Sequence, residues 1–136
     1  AYSYTRQPPK RVRPRRNVVI RLCSIECSYV QPLETGEQNA AFRRDIEAWS
    51  ALAPQLYIWD YVTTFSNYLQ PHPNLRVLAP NVRFFVDSNC VGLFEQGDAG
   101  CSCGVLVELR AWLLAHLAVQ REIHSMDWLE ALKVSE

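Results

Sequence analysis

Three acids, Glu26, Asp60 and Glu95, each close an apolar run of the chain. Val18 to Ile25 runs into Glu26, Leu56 to Trp59 into Asp60, and Val91 to Phe94 into Glu95. Glu26 and Asp60 lie 34 residues apart and Asp60 and Glu95 lie 35 apart, close to the length of one strand-plus-helix unit. Glycoside hydrolysis is done by such carboxyl groups in pairs: one protonates the leaving oxygen, the other attacks the sugar or activates water. The two pKa values must be pushed apart by environment. Tyr57, Trp59, Tyr61 and Phe94 flank the acids and supply low polarity and flat faces for sugar rings. Glu95 is the first candidate for a catalytic carboxylate and Asp60 its partner, with Glu26 as alternate acid or as a ligand for sugar hydroxyls. Any one of these acids taken alone is better explained as a loop cap or as the partner of Arg21, Arg6 or Arg76. The regular period across all three favours a shared site.

The elements that must position these acids follow from periodicity. Asn17 to Ile25 is rich in Val, Ile and Leu and too short for a helix, as expected of a parallel strand buried on both faces. Arg21 interrupts it and calls for a partner, an inward-facing carboxylate being the natural one. From Glu37 the pattern is helical: Phe42, Ile46, Trp49 and Ala53 recur at spacings of four, three and four, with Arg43, Arg44, Asp45 and Glu47 assigned to the other face. Pro54 ends this helix and Leu56 begins a strand. Thr63 to Pro73 is a long loop at the strand's carboxyl end. It carries Asn67, a candidate substrate ligand, and His72 between two prolines, read as an exposed loop histidine. Leu78 to Ser88 is a short helix with Pro80 in its first turn, and Asn89 suits a left-handed cap. Val91 to Gly97 forms the third strand and its tip, where Gln96 is a further candidate ligand. Val105 to Val119 is a helix so apolar that it expects cover on more than one face, and Trp128 to Leu132 starts another. Ala1 to Thr5 has the character of a strand's tail.

Composition narrows the function classes. The chain has 136 residues, 49% hydrophobic and 21% charged, which fits one domain with a core. Fourteen basic and fourteen acidic residues cancel, so no overall field draws it to nucleic acid or anionic lipid. No apolar run is long enough for a membrane span, and no signal peptide is visible from Ala1 onward. The compartment stays open between secreted or periplasmic and cytoplasmic. Arg6 to Arg16 holds six basic residues among three prolines; it reads as a solvated extended connector, with a nucleic-acid patch as the alternative. Five cysteines, an odd number, point to mostly reduced thiols. Their spacings, Cys23 to Cys27 and Cys101 to Cys103, do not make a zinc site, and no phosphate loop or dinucleotide fingerprint is present, so neither metal nor cofactor is expected.

The motifs together resemble a known family. Arg21-Leu-Cys-Ser-Ile-Glu-Cys27, Tyr57-Ile-Trp-Asp-Tyr-Val-Thr63, Asn74-Leu-Arg-Val-Leu-Ala-Pro-Asn-Val-Arg-Phe-Phe85 and Gly92-Leu-Phe-Glu-Gln-Gly97 are similar to the bacterial domain-of-unknown-function family 4838. Tyr4 to Lys10 and Glu108 to Ala115 fit it too. The loop Asp98 to Cys103 and the segment after Leu117 depart from it.

The resemblance implies a glycoside-hydrolase-like (β/α) barrel, distantly similar to α-glucuronidases and hexosaminidases and associated with bacterial polysaccharide breakdown. A whole barrel takes at least ~200 residues. On that basis residues 1–136 are expected to be one partial domain, the C-terminal half of a (β/α)8 TIM barrel with about four parallel strands, roughly strands five to eight. Such a half is expected to be inactive alone and to need either the missing N-terminal half or self-association to cover its open faces. The expected partner is a carbohydrate, with neither nucleic acid nor membrane. Arg6, just past a strand end, is the candidate to fork a uronic carboxylate. A non-catalytic carbohydrate-binding barrel or an inactive truncated remnant is the alternative, and a small nucleic-acid-binding protein using the connector is the third reading.

Overall fold

A computed structural model describes residues 1–97 and 104–120. Its elements are β1 (Ile20–Cys23), α1 (Ala40–Leu52), β2 (Leu56–Tyr61), α2 (Leu78–Asp87), β3 (Cys90–Gln96) and α3 (Val107–Gln120), with short 3-10 turns at Ser3–Thr5 and Glu37–Asn39. The strands form one parallel sheet in the order β1-β2-β3. Strand alternates with helix along the chain, as parallel pairing demands, because each return to the same sheet end needs a crossover.

Register and burial separate the two faces of the sheet. Leu22, Leu56, Ile58 and Cys90 join Phe42, Ile46 and Trp49 of α1 and Phe84 and Phe85 of α2 in one core, so both helices cover the same face. Each fully buried large side chain there contributes about 1.5–3 kcal/mol of transfer free energy. Phe42, Ile46, Trp49 and Ala53 are all buried, as their spacing implies. Asn89 ends α2 with φ 62°, the left-handed cap expected of it.

The other face is aromatic and partly open. The Arg21 guanidinium lies 4.9 Å from the Tyr57 ring centroid, 5.6 Å from Trp59 and 6.0 Å from Phe94. Its partner is therefore a set of ring faces and not the carboxylate expected from sequence. An exposed arginine keeps its hydration there and still gains cation–π attraction. The Tyr57 ring also lies over Gly92, where an added Cβ would come within 2.5 Å of it. The bare backbone at position 92 is what lets that ring lie flat.

The expected half-barrel of about four strands is corrected by this topology. Three parallel strands and three α-helices make an open α/β sheet among the described residues. The segment read as a strand's tail pairs only at Ala1, whose terminal ammonium donates to the Arg21 carbonyl and whose carbonyl accepts from the Cys23 N–H, in the parallel-ladder pattern. Ser3–Thr5 then coils into a 3-10 turn and Pro8, Pro9 and Pro14 prevent further pairing. The strand expected over 17–25 is only Ile20–Cys23, with Val18, Val19 and Ile25 exposed. The helix expected from Trp128 lies outside the described residues. Within α3 the buried residue is Arg110, while Leu109, Trp112 and Val119 are exposed.

Candidate functional site

The sheet's helix-covered face rises in layers. Ile20, Leu56 and Cys90 share one level; Leu22, Ile58 and Leu93 share the next. At the carboxyl end Asp60 and Glu95 are register partners, and Ser24, one residue past β1, donates its hydroxyl to Asp60 Oδ1. Two apolar levels are thus topped by a polar row, Ser24–Asp60–Glu95. Side chains alternate along a strand, so each must point the same way as the leucine or isoleucine two residues before it.

Burial sets the chemistry of this row. Asp60 is 5% exposed and Glu95 is half-buried, with its Oε2 shielded from water and without a hydrogen-bond partner among the described residues. Desolvation, then the nearby Asp60 charge, raises the Glu95 pKa well above the carboxylate range. Desolvation also raises Asp60, but the Ser24 hydroxyl and the Tyr61 backbone pull it the other way. Asp60 is therefore the member that ionises first, and Glu95 the member that keeps its proton.

Glu26 stands elsewhere. It lies past the end of β1, half-exposed, and forms an ion pair with Arg6. Arg6 Nε also donates to Asp45 Oδ2 at 2.6 Å, and the Trp49 indole N–H donates to the Arg6 carbonyl at 2.6 Å. Asp45, placed by periodicity on the outer face of α1, is 6% exposed because this clamp draws it inward. Arg6 thus joins Glu26 and α1, and its charge is opposed by two carboxylates.

The aromatic residues line both sides of the carboxyl end. Trp59 stacks on Tyr61 at 6.3 Å, meets Phe94 edge-on at 5.5 Å and donates its indole N–H to Gln96 Oε1 at 2.7 Å. Tyr57 donates to the Leu93 carbonyl. Asn67 is exposed, its Oδ1 accepting from the Leu69 N–H in a turn of the β2–α2 loop.

Two features escaped sequence reading. Ser24 is fully buried beside Asp60, and its only trace in the sequence is a lone hydroxyl just before an expected strand tip. His72 is 6% exposed and not a surface loop residue. Arg110 of α3, itself 3% exposed, fastens the loop by donating to the His72 carbonyl at 2.7 Å and to Asn74 Oδ1 at 2.9 Å. The His72 ring sits 4.7 Å from Tyr29 and beside Thr64, over a pocket of about 410 Å³ at the carboxyl ends of β1 and β2.

A family model described as a domain of unknown function (DUF4838) matches residues 1–130. No curated protein and no solved structure matches the chain.

Proposed function

The chain belongs to the DUF4838 family, and we propose that it carries the carboxyl pair of a glycoside hydrolase acting on polysaccharide or oligosaccharide. The observation behind this reading is the Asp60–Glu95 pair: register partners at the carboxyl end of a parallel sheet, held in unequal environments. Glu95, kept neutral by burial and by its neighbour, is the general acid that protonates the leaving oxygen. Asp60, whose raised pKa the Ser24 hydroxyl opposes, is the carboxylate that meets the developing positive charge at the sugar carbon. Trp59, Tyr61 and Phe94 give the opposite face of the same strand ends an aromatic surface, which supports a sugar ligand at this end of the sheet because pyranose rings present C–H faces that settle on such surfaces.

The test is Glu95→Gln in the full chain, assayed on oligosaccharides for hydrolysis and separately for binding. Hydrolysis falls by about 10²–10⁴-fold, the typical worth of a general acid, while binding survives. Unchanged hydrolysis removes Glu95 from the mechanism. Binding without hydrolysis in the unsubstituted protein favours a carbohydrate-binding role instead.

A further inference from the structure

We propose that the pocket beside Asp60 is a subsite for an uncharged sugar ring, held by the aromatic walls of Tyr29, Tyr61 and Phe65 and by Nε2 of His72, so that the site takes neutral sugars and not uronates. This rests on the glycoside-hydrolase reading above and names the substrate class of that same site.

The pocket, about 410 Å³, falls within the ~300–1,000 Å³ of small-molecule sites. Its rings form a continuous corner: Tyr29 meets Tyr61 edge-on at 6.4 Å, and Tyr61 meets Phe65 edge-on at 5.6 Å. Phe65 is 43% exposed, an apolar face that the described residues leave uncovered. His72 supplies the polar contact. Its Nδ1 is engaged with Thr64 Oγ1 at 3.3 Å, and although the Tyr61 backbone lies close to the ring, no aligned hydrogen bond among the described residues reaches Nε2. That nitrogen is shielded from solvent as the ring stands; leaving it buried without a partner is costly, and a ligand hydroxyl that draws the ring toward the pocket relieves that cost.

Charge decides the substrate class. Among the described residues no Lys, Arg, Asp or Glu lines the pocket. Burial disfavours the charged forms of its titratable walls, holding the Cys27 thiol and the Tyr29 phenol protonated and the His72 ring neutral. The cation beside His72, Arg110, is sealed behind the loop, its guanidinium donating to the carbonyls of His72 and Val105 and to Asn74. Arg6 is neutralised by Glu26 and Asp45. Asp60, buried behind the pocket wall, is after desolvation the next cause that raises Tyr29 and Cys27, and its charge disfavours an anion there. A uronic carboxylate would be desolvated here with no cation to receive it.

The experiment measures binding to the full chain carrying Glu95→Gln, so that no turnover is needed. The probes are glucose, galactose and N-acetylglucosamine oligomers set against glucuronate and galacturonate oligomers. Neutral oligomers bind and uronate oligomers bind at least tenfold more weakly. Phe65→Ala, at an exposed position, weakens neutral binding about tenfold. His72→Phe keeps the ring's bulk and the carbonyl that Arg110 uses, and also weakens it. Uronates bound equally or better, or neutral affinity unchanged in both variants, overturn the proposal. Binding that responds to Phe65 and His72 in a protein without hydrolytic activity sinks the hydrolase reading and leaves the subsite standing. Hydrolysis that depends on Glu95 but ignores Phe65 and His72 does the reverse.

Discussion

Asp60 and Glu95 face the same side of adjacent strands at matching register, yet among the described residues only Asp60 receives a hydroxyl, from Ser24. That single donor makes two similar acids unequal. A hydrogen bond to a charged group is worth about 1.5–3 kcal/mol, and it acts on one carboxylate and not on its neighbour. Ser24→Ala therefore raises the Asp60 pKa and lets the pair share its proton more evenly. A 13C titration of the side-chain carboxyls shows this as an upward move of the lower of the two steps. Steps that stay in place would remove Ser24 as the source of the asymmetry.

The same pair fixes how stability depends on pH. Both carboxyls have folded-state pKa values above their ordinary ones, 4.5 for Glu95 and 3.8 for Asp60. Between the ordinary and the raised values the folded chain binds more protons than the unfolded one. The contribution of the pair is thus greatest below the ordinary carboxyl range and is lost as pH rises through the raised values. Chemical denaturation from about pH 4 upward records stability falling, by about 1.4 kcal/mol for each unit by which a pKa is raised. Glu95→Gln flattens that fall. An unaltered slope in the variant would place the responsible group elsewhere.

Much of this was legible in the sequence, for a physical reason. A parallel strand buried on one face and ending in an acid has few alternatives, so the runs into Asp60 and Glu95 gave strands of nearly the expected length. The α1 stripe and the Asn89 cap were legible because burial period and left-handed backbone are local properties. Ser24, Asp45 and His72 were not legible, because their burial comes from partners 36, 39 and 38 residues away: Asp60, Arg6 and Arg110. The barrel expectation failed on the same ground. How many strands complete a sheet depends on non-local pairing, and among the described residues it comes to three strands plus one bridging residue.

Strand spacing bears on stereochemistry. Register partners on adjacent strands have backbones about 4.8 Å apart, which suits carboxyls ~5–5.5 Å apart better than the ~6.5–9.5 Å an inverting site needs to admit water. Under the hydrolase reading the reaction retains anomeric configuration. Proton NMR of the first sugar released distinguishes the outcomes, and an inverted product would show that Asp60 and Glu95 are not the acting pair.

Gly92 tests the aromatic face without touching the carboxyls. An added methyl would meet the Tyr57 ring at 2.5 Å, and that ring is pinned by its bond to the Leu93 carbonyl and by Arg21 above it. Gly92→Ala destabilises by about 1–3 kcal/mol, the usual range for overpacking. Removing the ring relieves the clash, so in thermal melts Gly92→Ala with Tyr57→Ala costs less than the sum of the two. Strict additivity would mean that the ring swings away freely.

Arg6 separates a structural clamp from a substrate ligand. Its side chain is 15% exposed and bonds Asp45, whose side chain is 9% exposed, so Arg6→Ala leaves a carboxylate with little water and no counter-charge. Breaking a buried pair costs about 3–5 kcal/mol, and the residual exposure puts this one at or below the lower end. The half-exposed Glu26 adds little, since its charge returns to solvent. Replacing both partners, Arg6→Met with Asp45→Leu, removes the unpaired charge and recovers most of the loss. If Arg6 is a clamp, thermal stability falls in the single variant and returns in the double one, and any residual activity keeps its preference among sugars. A selective loss on uronates at unchanged melting temperature would instead make Arg6 a ligand for the acidic group, and would contradict the neutral pocket beside Asp60 as well.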